Sequence, residues 1–341
     1  MRGRAALVAG VMAVAKTVPP SAVPAQGARG ASHLVVIVGA GGEPRYSEEF
    51  HAAALAIVDA ARTRFALPAS NVVYLGEAPE RAPGRMAARS TKANVERALA
   101  DVAARAGAAD EVWVVLVGHG SGEGERSRFN LPGPDMTAAD FRRALAPLGR
   151  RRVAFVNAAS ASGDFARVLA APNRAVVTAT KSALERNETL FARHFAAALS
   201  ASGADVDKNG RVTLLEAFSY TRREVARDYE RDNRLLTEHA QLEDDGDGAP
   251  SADPSPRARD GALAATIALA GGPPATTVAA ASDPRLARLV AERDELEARV
   301  AALRQRKGSM ETAAYERELE RLLVELARTS QAVRAAGGES P

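Results

Sequence analysis

The stretch VVLVGHGSG, residues 114–122, runs an unbroken apolar segment into a histidine, His119, held between two glycines. A run that is apolar at every position predicts a strand covered on both faces, as in a parallel sheet. The same grammar recurs downstream, where RRVAFV (151–156) leads into NAASASG (157–163) and Ser160 stands just past the strand.

Working outward, LVVIVGA (34–40) is a strand of the same kind. A helix follows, with Ser47 as its expected cap and Phe50, Ala54, Val58, Ala61 and Phe65 on one face. Next come NVVYLG (71–76), a helix over 92–106 closed by Gly107, and the strand EVWVVLV (111–117). A helix opening at Thr137 has Asp140 three residues on, the pattern of a capping box. A helix near 163–170 and the strand RAVVTAT (174–180) complete the series. Strands alternating with helices predict an α/β fold: a mostly parallel sheet with helices on both faces. In such a sheet ligands bind past the carboxyl ends of the strands, and His119, Ser160, Thr180 and Lys181 all fall on that edge.

The chain has 341 residues, 46% of them hydrophobic, enough for a large core. Lys and Arg (45) nearly balance Asp and Glu (42), the signs are interleaved, and no basic block occurs, so nucleic acid is not an expected partner. Residues 1–25 read as a secretory signal: Arg2 and Arg4, an apolar run from Ala5 to Ala15, then the small residues Val23 and Ala25. The run is too short for a transmembrane segment. Export combined with no cysteine, hence no disulfide, fits a periplasmic or secreted bacterial protein.

The first domain is expected to span 31–270. After a helix at about 188–200 it contains DVDKNGRVTLLE (205–216), which fills every position of the EF-hand loop pattern. Asp205, Asp207 and Asn209 would offer side-chain oxygens to Ca²⁺, Arg211 its carbonyl, Thr213 a direct or water-mediated ligand, and Glu216 a bidentate carboxylate, with Gly210 making the turn. The fragment Glu243–Gly248 repeats the first half of that pattern without a closing ligand, inside an acidic, Pro-rich stretch (243–260) expected to be a flexible linker. GALAATIALA (261–270) reads as one further strand. A linker (271–283) leads to residues 284–336, where apolar residues recur at three-and-four spacing on two segments joined at Gly308-Ser309. These predict a helical hairpin or short coiled coil, able to self-associate or to pack on the main domain.

His119 between glycines leaves backbone N–H groups free to face an oxyanion, and Ser160 in AASASG reads as a nucleophile or equally as the cap of the next helix. A His-Gly after one strand and an Ala-Ser-Ala-Ser-Gly (159–163) after the next resemble the caspase and legumain-like cysteine peptidases, with serine where that family has its cysteine. The resemblance covers roughly 33–199. It implies His119 as general base, Ser160 at the nucleophile position, and the N–H groups of Gly120 and Ser160 as the oxyanion hole. Without cysteine, thiolate chemistry is excluded. A hydroxyl is far less acidic than a thiol and needs a correctly oriented base during attack. Three functions follow: an impaired peptidase domain that binds a peptide or protein ligand in its cleft; a peptidase or amidase using a Ser160–His119 dyad; or an envelope protein acting through its coiled coil.

Overall fold

The computed structural model describes residues 30–122, 124–208, 211–270, 283–305 and 310–337. The expected signal (1–25), Asn209 and Gly210 of the EF-hand-like loop, linker residues 271–282 and the Gly308-Ser309 turn lie outside the described residues.

Seven strands form the main sheet: β1 (Ser32–Val38), β2 (Val72–Gly76), β3 (Ala88–Arg89), β4 (Glu111–Val117), β8 (Arg152–Asn157), β9 (Arg174–Thr178) and β10 (Gln241–Glu243), in the order β10-β9-β8-β4-β1-β2-β3. All pairings are parallel except β9 with β10. Successive strand side chains point to opposite faces. Leu34, Val36, Trp113, Val115, Ala154 and Val156 thus join one core with helices α1 (Pro44–Thr63), α5 (Phe191–Ser200) and α6 (Leu214–Arg231). Val35, Ile37, Val114, Leu116 and Phe155 join the other with α2 (Lys92–Arg105), α3 (Ala138–Leu145) and α4 (Asp164–Leu169). The α/β architecture with helices on both faces is therefore present.

A second sheet joins β5 (Gly120–Ser121), β6 (Arg128–Phe129) and β7 (Met136–Thr137), directly after His119. The Thr137–Asp140 capping box forms as expected. Ser47 is not a cap: α1 starts three residues earlier at Pro44, whose fixed φ suits a first helical turn, and the Ser47 hydroxyl donates to Glu77 Oε2 at 2.8 Å.

The acidic stretch is not a loose linker. Leu242 exchanges backbone hydrogen bonds with Ser251, and β10 pairs with β9. Asp244 is buried because its two oxygens accept the N–H groups of Gly261 (2.8 Å) and Ala264 (2.7 Å), and its own N–H donates to Asp260 Oδ1. Carboxylates here replace a backbone ladder as acceptors for a folded loop. Residues 261–270 turn rather than extend. They make one antiparallel bridge, Thr213 with Ala268, and end on β1, where the Ser32 N–H donates to the Ala270 carbonyl at 2.9 Å.

At the C-terminus two helices, Pro284–Gln305 and Thr312–Gly337, pack on each other. Leu286 and Val290 cluster with Val333 at one end, and Leu303 with Tyr315 at the other, so the pair runs antiparallel.

Candidate functional site

β4 and β8 lie side by side in register from Glu111↔Arg152 to Leu116↔Asn157, so the turns after them emerge together at the carboxyl edge of the sheet. The contact between these turns is backbone on backbone. A Cβ on Gly120 would lie 2.3 Å from the Ser160 carbonyl oxygen, so only glycine fits there. The Gly120 N–H donates to Ser160 Oγ at 3.4 Å.

Ser160 is 3% exposed. Its neighbour Ala161 has φ +50°, a left-handed conformation that costs a non-glycine residue about 1 kcal/mol or more. The surroundings hold it there: the Ala161 N–H donates to the Glu185 carbonyl at 2.8 Å. Thr180 Oγ1, just past β9, accepts the N–H groups of Ser162 (2.8 Å) and Gly163 (3.2 Å), and Ser162 Oγ accepts the Thr180 N–H (3.2 Å). Asp164 Oδ2 accepts the Gly124 N–H and the Ser127 hydroxyl, tying the segment after His119 to the start of α4.

The His119 ring is half-buried between Tyr46 and Phe50 of α1, edge-on to both at centroid distances of 4.8 and 4.9 Å. Burial holds its pKa below the ordinary imidazole value, against the opposing pull of the Glu188 charge, the Gly41 backbone and Glu43. Burial thus favours the neutral ring. Its backbone and that of Ser160 are brought together, as the strand order requires, but among the described residues no hydrogen bond joins the ring to Ser160 Oγ. Chemically, the arrangement offers a neutral base beside an aromatic wall and a hydroxyl whose oxygen already takes an amide donor.

The 205–216 loop connects α5, through a short turn at Ser202–Ala204, to α6. Carboxylate oxygens of Asp205, Asp207 and Glu216 lie within 4.8 Å of one another, close enough to share one cation. Glu216 Oε1 accepts the Val206 N–H at 3.1 Å, and Oε2 accepts the N–H and hydroxyl of Thr213, each at 2.9 Å. Thr213 caps α6 with its own hydroxyl oxygen, which accepts the Glu216 N–H while the hydroxyl hydrogen goes to Glu216 Oε2, so its side chain serves the helix start and the edge of the carboxylate cluster together. Arg211 is partly buried beside them.

Sequence reasoning gave no role to Thr180 and missed Asp164, which opens α4 directly after the second turn, and Tyr46, Glu185 and Glu188, which contact or act on the two turns from other segments. It also missed Glu238, whose carboxylate accepts the Leu190 N–H ahead of α5 and is 4% exposed. Two cavities, of about 550 and 580 Å³, flank the edge, one beside Phe191, Phe218, Glu238 and His239, the other beside Glu43, Ser47 and Glu77. Neither is lined by His119 or Ser160. Comparison with known proteins matches this chain to no family model and to no curated protein.

Proposed function

We propose that the chain is an exported protein of caspase/legumain-like fold whose nucleophile seat holds Ser160, that it does not hydrolyse, and that it binds a peptide or protein partner along the carboxyl edge. The observation that carries this reading is the state of the Ser160 hydroxyl: buried, bonded to the Gly120 N–H, and with no hydrogen bond to His119. A serine nucleophile needs that relay, because the hydroxyl does not ionise by itself near neutral pH. The test exposes the protein to a fluorophosphonate probe and to a peptide library. Wild type should stay unlabelled and retain peptides uncut. Labelling of Ser160 that His119→Ala abolishes, with cleavage lost in Ser160→Ala, would overturn the reading in favour of the dyad enzyme. The dyad has one feature on its side: burial of the His119 ring favours the neutral imidazole, the form able to accept a proton.

The same proposal assigns Ca²⁺ to the 205–216 loop, held by Asp205, Asp207, Glu216 and, from the sequence pattern, Asn209, the Arg211 carbonyl and Thr213 directly or through water. Bound calcium would take over the negative charge that Glu216 now presents to Val206 and Thr213, fixing α6 to the segment after α5. An extracellular loop of this type binds with a dissociation constant on the order of 10⁻⁴ to 10⁻³ M. Equilibrium dialysis against several millimolar ⁴⁵Ca²⁺ should find Glu216→Gln binding one ion per chain fewer than wild type. Equal binding by the two proteins would remove the metal from this loop. Self-association of the C-terminal helix pair as a coiled coil completes the proposal, since Leu323 and Val324 of the second helix stay exposed after the two helices have packed on each other.

A further inference from the structure

The turn that leaves β10 concentrates negative charge. Carboxylate oxygens of Glu243, Asp245 and Asp247 lie within 4.8 Å of one another, contributed by alternate residues of one short turn whose glycines, Gly246 and Gly248, adopt φ +85° and +77°. Asp244 and Asp260 lie beside them, but Asp244 has both oxygens committed to amides of the following loop, and Asp260 Oδ1 accepts the Asp244 N–H.

Glu243 is the informative member. Its residue exposure is 0%, its Oε1 accepts the N–H groups of Gly246 (2.7 Å) and Gly248 (3.3 Å), and its Oε2 is buried with no hydrogen-bond partner. An uncompensated carboxylate oxygen inside a protein costs several kcal/mol, so such an atom calls for a cation or a donor. Two guanidinium groups are near. Arg174 acts on Glu243 electrostatically, but its Nη1 is engaged by the Leu169 carbonyl at 2.8 Å and its Nε is buried without a hydrogen-bond partner, so it makes no hydrogen bond to Glu243 Oε2. Arg259 reaches Asp245 Oδ2 (3.0 Å) and Asp247 Oδ2 (2.9 Å) from solvent, with its side chain 74% exposed, and makes no contact with Glu243 Oε2. Arg259 thus covers the two outer carboxylates and leaves the inner one unmatched.

We propose that the Glu243–Gly248 turn is a second divalent-cation site of the hard, all-oxygen class that suits Ca²⁺, with Glu243, Asp245 and Asp247 as its side-chain ligands and the exposed Arg259 displaced on binding. The ion would compensate the buried Glu243 carboxylate, neutralise the outer pair better than one flexible guanidinium, and pin β10, the edge strand of the sheet, where it leaves β9. The site stands independently of the 205–216 loop, with which it shares no residue.

Dialysis of the full-length protein against ⁴⁵CaCl₂ distinguishes the two sites. Wild type should bind two ions per chain, Asp245→Asn/Asp247→Asn one, and the same pair combined with Glu216→Gln none. The amides keep the Oδ1 acceptors that Asp247 N–H and Ala249 N–H use, so the turn should survive the exchange. Arg259→Ala, which only removes the competing cation, should tighten the second site several-fold. Unchanged binding by the Asp245→Asn/Asp247→Asn protein would overturn the proposal whatever Glu216→Gln does. Loss of one ion on Glu216→Gln alone would then leave the first loop as the sole site. Weakened or unaltered binding in Arg259→Ala would likewise count against it.

Discussion

Gly120→Ala should cost about 2–3 kcal/mol of stability and separate the two turns of the candidate site. The added Cβ would meet the Ser160 carbonyl oxygen at 2.3 Å and the Arg128 carbonyl oxygen at 3.2 Å. Both are backbone atoms, so no rotamer change relieves the clash. Either the turn after β8 or the small β5-β6-β7 sheet must shift, and forcing extra volume into a packed site carries a penalty of this size. The shift also lengthens the 3.4 Å contact from the Gly120 N–H to Ser160 Oγ. Gly107→Ala is the matched control. There the nearest atom to a new Cβ is Asp110 Oδ2 at 3.4 Å, an ordinary contact, and stability should change by less than about 0.5 kcal/mol. Urea unfolding midpoints decide the matter, and equal midpoints for the two variants would show that the turns are not in tight contact. Retention of peptides should fall in Gly120→Ala alone if they bind along this edge.

What the sequence disclosed follows from the range of the interactions involved. Strands β1, β4 and β8 are apolar at nearly every position because helices cover both faces, so their periodicity was readable locally, and the shared edge of His119 and Ser160 followed from it. The Thr137–Asp140 cap is a contact within one turn and was equally legible. Strands β3, β5, β6 and β7 have two residues each, too few for any period. The stretch after β10 carries the composition of a linker, and only the amides of Gly261 and Ala264, seventeen and twenty residues further on, make Asp244 an interior residue. The aromatic walls of His119 come from α1, where Phe50 looked like one more core position. A glycine-flanked histidine announces a site, but whether its ring reaches a serine depends on side chains that sequence spacing does not place.

The second large effect concerns pH. Burial pushes the Glu238 carboxyl up to about 7 from its ordinary 4.5, against the lowering influence of the Leu190 and Phe191 N–H groups, Tyr229 and Arg234. An acid whose folded pKa is raised holds its proton in the folded state after the unfolded chain has lost it. Its favourable share of stability is therefore complete below about pH 4.5 and is lost as pH rises to about 7. The loss amounts to about 3 kcal/mol, at about 1.4 kcal/mol per pH unit. Glu238→Gln is neutral throughout, so it should be more stable than wild type at pH 8 by about 2–3 kcal/mol and close to wild type at pH 4.5. Other groups titrate in this window. Glu243 is also raised to about 7, chiefly by burial, and adds a fall of the same sign. His51 and His119, whose pKa values burial lowers, act the other way, because stability held by a neutral histidine is lost as pH falls below about 6.5. The absolute stability curve of either protein is therefore a composite, whereas the difference between wild type and Glu238→Gln cancels every group but one. That difference, measured by urea unfolding from pH 4.5 to 8, should widen steadily up to about pH 7 and then level off. Parallel curves would mean that Glu238 is ionised in the folded protein and that the Leu190 N–H and its neighbours compensate its burial in full.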